Sequence, residues 1–128
     1  MSDMGFTPNL IASATVNPFR FVVVSGAFTG AQAAAGTVVP VGVSDGSVYL
    51  FGQTAHAPAD YPITIQPTNT VQIELGSGGI TAGGYIMPDA NGKGIAHTGT
   101  GAYSCYVALE AGAENAIVRA FRTGTIKA

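Results

Sequence analysis

The sequence predicts a small all-β domain, one barrel or sandwich of about eight to ten short strands behind an extended N-terminal arm. Three observations predict it. Apolar residues come in short runs rich in Val, Ile, Tyr and Phe. Turn signals (Gly, Pro, Asn-Gly, Asp-Gly) break the chain at intervals of roughly eight to twelve residues. No stretch sustains a heptad or a long helical period. At 128 residues a single core suffices, burying about two thirds of the unfolded surface.

Residues 1–18 hold Pro8 and Pro18 and scattered apolar side chains without period, so they read as the extended arm, with 19–128 as the β-rich domain. Met4, Phe6, Leu10 and Ile11 have no patterned core position in that arm and are the candidate contacts to a larger partner. On this reading, deleting residues 2–16 leaves the fold intact. Phe19 to Val24 reads as a strand apolar enough at its end to be buried on both faces. The alanines Ala33 to Ala35, bracketed by Gly30 and Gly36, allow one helical turn and nothing longer. Strands resume in "VVPVGVSDG" and "SVYLFG", with Asp45-Gly46 as a hairpin turn. "ITIQP", "TVQIEL", "YIMP" and "GIAH" follow, and "AYSCYVALE", "AIVRAFR" and "GTIKA" close the chain as a hairpin with a last strand. Helix propensity also favours "YVALEAGAENAIVRAF", but Gly112 and Asn115 in its middle argue for the hairpin.

The stretch from Gly76 to Gly94 holds seven glycines and a lysine, and a phosphate-cradling loop is the functional reading to exclude. Such a loop places Ser or Thr directly after its lysine, at the start of a helix. Lys93 is followed by Gly94 and Ile95 instead. The glycines read better as turn punctuation, with Asn91-Gly92 a two-residue hairpin signal.

No constellation for catalysis or metal binding emerges. His56, with Asp60 four residues on, and His97, with Cys105 eight residues on, lack the closely spaced ligand pair of a zinc site. The calcium-loop start at Asp89 fails because Lys93 and Thr100 stand where oxygen ligands belong. Cys105 lies in an apolar strand pattern and reads as a buried, inert thiol, and Glu110 and Glu114 read as hairpin-loop residues. No metal, cofactor or catalytic residue is assigned, and the chain is read as a non-enzyme. A second reading is a carbohydrate-binding module that uses Tyr49, Tyr61 and Tyr85 as a platform.

Charge narrows the partners. Only 9% of residues are charged, against about 25% in ordinary domains, and the formal net charge is −2. A field for nucleic acid is lacking. Apolar runs such as Phe21 to Val24 are far too short for a helical membrane span. A lone cysteine suits a reducing compartment. So sparse a surface points to coverage by neighbours.

"VVPVGVSDG", "GGITAGGYIMPDANGKGIA" and "YVALEAGAENAIVRAFRTGT" resemble, in order and spacing, the small capsid decoration (cement) proteins of tailed bacteriophages. The likeness runs from Phe19 to Thr125. It includes an Ala82-Gly83 step into a Pro-x-x-x-Gly-Lys turn ending at Lys93, and an Ala-Leu-Glu-Ala opening at Ala108 with an apolar ending at Phe121. The arm departs from the family. The resemblance implies a β-rich homotrimer, made in the host bacterial cytoplasm, that sits on the outside of the virion head. There it would bind the major capsid protein and hold the shell against the pressure of packaged DNA.

Overall fold

The computed structural model describes residues 10–48, 54–99 and 102–127, with backbone alone from 124 onward. The all-β prediction holds: these residues form ten strands and no helix. In chain order the strands are β1 (Leu10–Ala12), β2 (Phe21–Gly26), β3 (Thr29–Gln32), β4 (Gly42–Val43), β5 (Pro62–Ile63), β6 (Thr70–Glu74), β7 (Tyr85–Pro88), β8 (Gly94–Ala96), β9 (Ser104–Ala108) and β10 (Ile117–Lys127). Two five-stranded sheets result, ordered β4-β2-β3-β1-β5 and β6-β10-β9-β7-β8.

The main core lies between the sheets. Phe21 and Val43 from the first meet Val71, Ile73, Leu75, Ile86, Tyr106 and Val118 from the second. A smaller apolar cluster of Leu10, Ala12, Val16, Val22, Ala57, Ile63 and Ile65 is built on the first sheet. Strand β2 therefore serves two cores: Phe21 and Val22, adjacent in sequence, are both fully buried. The Phe21–Tyr106 ring pair, with centroids 5.4 Å apart, and Arg122 over the Tyr106 ring at 5.6 Å join the sheets at the centre.

The expected arm is, from Leu10 onward, part of the sheet. Strand β1 pairs in parallel with β3 and antiparallel with β5; Leu10 is buried in the smaller core, and Val16 and Ala57 exchange backbone bonds of 2.8 and 3.0 Å. A three-residue strand shows no period, and its partners are distant in sequence. Met4 and Phe6 lie outside the described residues. The alanine segment holds no helical turn; the chain before it, Thr29 to Gln32, is the strand β3, formed by its two neighbours rather than by its own weak propensity.

Two turns also differ from expectation. Between β7 and β8 the loop has five residues, because Pro88 pairs with Gly94. The Asp89 carboxylate accepts the Asn91 and Lys93 N–H groups at 2.7 and 2.9 Å, and of Asn91 and Gly92 only Gly92 takes positive φ, +73°. This is an Asx-braced turn followed by a left-handed glycine, not a two-residue turn. Asp45-Gly46 closes no hairpin between described strands: Ser44 bridges to Ile65 and the Asp45 carboxylate accepts the Ser47 N–H at 2.9 Å. The helical alternative for 106–121 is absent, since β9 and β10 pair in register from Ala120–Ala108 to Arg122–Tyr106.

Candidate interaction surface

The polar groups that suggested chemistry are spent on the scaffold. His56 is buried; its Nδ1 lies 2.8 Å from the Ser47 carbonyl, and its Nε2 accepts the Thr64 N–H at 2.9 Å. An accepting Nε2 makes Nδ1 the donor, so both ring nitrogens are occupied and the loop around Ser47 is tied to β5. His97 is used likewise, by the Gly99 N–H at Nδ1 and the Ala102 carbonyl at Nε2, both at 3.1 Å. Lys93 is a strut rather than a phosphate ligand. Its Nζ is 2.8 Å from Asn115 Oδ1 and 3.2 Å from Glu74 Oε2, while Arg20 reaches Glu74 Oε1 at 3.4 Å from the other sheet. Arg122 donates to the Val41 carbonyl at 3.0 Å and the Tyr106 hydroxyl at 3.2 Å. Burial pushes the Cys105 thiol and the Tyr106 hydroxyl up, against the opposing pull of Arg122, so Cys105 stays a protonated core thiol. No group of three or more His, Cys, Asp or Glu side chains among the described residues is placed to hold a metal.

The tyrosine platform does not form as a unit. Tyr49 lies outside the described residues; Tyr61 precedes β5 in the first sheet, whereas Tyr85 opens β7 in the second, both half-buried.

What the surface does offer is apolar. On β10 the small side chains Val118 and Ala120 point inward, while Ile117, Arg119 and Phe121 point outward. Phe121 pairs with Val107 across the sheet, and Val107 with Tyr85. Leu109, whose N–H bonds the Arg119 carbonyl at 2.9 Å, stands beside them. Leu109, Ile117 and Phe121 are 51%, 47% and 44% exposed, and on β10 the outward Ile117 and Phe121 are bulkier than the inward Val118 and Ala120. Beside Ile117 and Phe121, Glu110 Oε2 accepts the Arg119 N–H at 2.9 Å and Nε–H at 3.1 Å. Those bonds, the backbone one foremost, hold the Glu110 carboxyl below its ordinary range.

A second apolar patch lies at the β2–β3 turn. Phe28 is 81% exposed and has φ +56°, a region a bulky side chain occupies at a cost of order 1–3 kcal/mol. Its carbonyl accepts the Ile11 N–H at 3.0 Å. Ile11 and Val24 are exposed at the same end of the sheet. Of the sequence candidates, then, Ile11 is on the surface and Leu10 is its buried anchor. The sequence reading missed Phe28; its signal was an aromatic among the small turn residues of "SGAFTG".

The open edge of the second sheet is sealed. Strand β6 turns the backbone groups of residues 70, 72 and 74 away from β10. The Gln66 amide acts as a substitute strand, accepting the Gln72 N–H at 2.9 Å and donating to the Gln72 carbonyl at 2.8 Å. Thr68 Oγ1 donates to the Thr70 carbonyl at 2.7 Å, and Glu74 N–H reaches the Phe19 carbonyl at 3.1 Å. This blocks strand addition at β6. Gln66→Ala removes both bonds to Gln72 and one to the Ser44 carbonyl. It is expected to cost about 1–3 kcal/mol, read by urea unfolding, and to raise light scattering on concentration.

No protein-family model matches the chain, and no curated protein matches it. Among solved structures it is similar to the head fiber gp8.5 N base of bacteriophage phi29: 18% identity, TM-score 0.68, covering 90% of this chain and 91% of that one. The fold is shared with a phage head-fibre base. That likeness spans both sheets, and it comes with an identity too low to carry residue roles across.

Proposed function

We propose that the protein is a structural component of a tailed-phage virion, a decoration protein seated on the outer surface of the head. The observation that carries this reading is the fold shared with the phi29 head-fibre base over nine-tenths of both chains. Three features support it: two exposed apolar patches on a surface with 9% charged residues, histidines consumed by backbone bonds, and the cement-like motifs ending at Lys93 and Phe121. The role is mechanical, not catalytic. Several copies held together bind several capsid subunits at once, so modest contacts add by effective concentration.

The head contact is the end of the first sheet where Ile11 and Phe28 meet, anchored through Leu10; Met4 and Phe6, outside the described residues, are proposed as contacts on the sequence alone. The turn needs the Phe28 backbone, whose carbonyl accepts the Ile11 N–H, but not its ring, which is 81% exposed and points to a partner. Phe28→Asn is expected to leave stability unchanged or raise it by up to about 1 kcal/mol, since Asn tolerates left-handed φ, and to weaken co-sedimentation with heads of the encoding phage made without this protein. Unaltered binding would remove Phe28 from the contact. A cement also raises the rupture temperature of those heads; a fibre base binds without doing so.

A further inference from the structure

We infer that Lys93 and Asn115 become joined by an isopeptide bond that the folded chain makes for itself, with Glu74 carrying the protons. The observation is a trio of side chains whose chemistry is complementary. Lys93 Nζ, an amine, lies 2.8 Å from Oδ1 of the Asn115 carboxamide and 3.2 Å from Oε2 of the Glu74 carboxylate. An amine held against an amide carbonyl is a nucleophile beside its electrophile. The carboxylate beside it is within reach of the protons that must move.

Each member is fixed from outside the trio. The Lys93 N–H donates to the Asp89 carboxylate at 2.9 Å, and the Lys93 carbonyl accepts the Asp89 N–H at 2.8 Å. The Asn115 N–H donates to the Leu75 carbonyl at 2.9 Å, with Asn115 at a left-handed φ of +70°. Arg20 holds the other Glu74 oxygen, Oε1, at 3.4 Å. Contact set by these anchors turns an amide exchange that free reactants hardly undergo into a unimolecular step. The Lys93, Glu74 and Arg20 side chains are 20%, 23% and 13% exposed, so the amine and its carboxylate are partly sheltered from water. Asn115 stands exposed at the rim, where a leaving group can escape.

The step balances without a cofactor. Nζ attacks Asn115 Cγ; the Nζ–Cγ bond forms and the Cγ–Nδ2 bond breaks. Of the three protons on the lysine ammonium, two pass through the Glu74 carboxylate to Nδ2, which leaves as ammonium, and one stays on the new amide. Glu74 ends as it began, and the event happens once per chain. The bond ties the end of the β7–β8 turn to the β9–β10 connection, 22 residues apart. It puts a covalent link where an ion pair would be weakened by salt. The inference rests on these side chains and stands apart from the virion reading.

Cleavage after glutamate of the full chain, denatured once folded, tests it by mass spectrometry. Residues 75–110 and 115–128 are expected as one species, with a mass equal to their sum less one ammonia. Lys93→Arg and, separately, Asn115→Ala are expected to release the two fragments unjoined. Glu74→Gln, with amine and amide intact, is expected to leave them unjoined as well, and Glu74→Asp, which restores a carboxylate, to recover part of the joined species. Wild-type fragments that separate overturn the bond, whether the chain has its full mass or has lost ammonia elsewhere. A Glu74→Gln chain that joins them as fully as the wild type overturns the role of Glu74.

Discussion

Tyr106→Ala is expected to remove about 3–5 kcal/mol of stability, a large part of the 5–15 kcal/mol typical of a domain. Tyr106 is 2% exposed, and its ring lies at the junction of three things: the Phe21 ring of the first sheet, the Arg122 guanidinium, and the main core. Truncation opens a cavity between the sheets and takes the Tyr106 hydroxyl from Arg122 Nη1, which keeps its bond to the Val41 carbonyl. Tyr106→Phe separates the two effects. It keeps the ring and loses one bond at 3.2 Å, so the expected cost is about 1–3 kcal/mol for a bond to a charged group. Urea unfolding at neutral pH measures both; equal costs for the two variants would place the stabilisation in the hydroxyl rather than in packing.

Deletion of residues 2–16 is expected to abolish cooperative unfolding, the reverse of what an independent arm implies. The deletion takes β1 out from between β3 and β5, removes Leu10 and Ala12 from the smaller core, and cuts off Val16 at its bridge to Ala57. Four fully or nearly buried side chains, Val22, Ala57, Ile63 and Ile65, then face water. Leu10→Ala alone is expected to cost about 2–5 kcal/mol. Differential scanning calorimetry reads both, and a truncated chain with the wild-type transition would contradict the placement of β1.

The contrast between β1 and β6 explains what the sequence made legible. Residues 70–75 alternate between faces with a buried Val71, Ile73 and Leu75, and a half-buried strand has no other way to be written. The closing hairpin was readable too, through Gly112 and Asn115, the latter at φ +70°. Strands β1 and β3 were not, because "LIA" and "TGAQ" become strands by pairing with each other in parallel across the intervening β2, a non-local effect that leaves no local period. The surface was hidden for a related reason. On β10 both alternating sets hold apolar residues, Ile117 and Phe121 beside Arg119 in one and Val118 and Ala120 in the other, so periodicity identifies a strand without saying which face is the core; only the position of the first sheet decides that Ala120 goes inside and Phe121 out. Phe28 was marked only as an aromatic among small turn residues, a signal that does not say that its ring is held exposed at positive φ.

The central claim is that this chain is a surface component of a phage head. A cryo-electron-microscopy map of the encoding phage's particle, compared with one assembled without the chain, tests it most directly. The account predicts difference density on the outside of the shell that accepts the two five-stranded sheets, with the Phe28 end toward the capsid. Identical maps, or density for this chain away from the head, would contradict it.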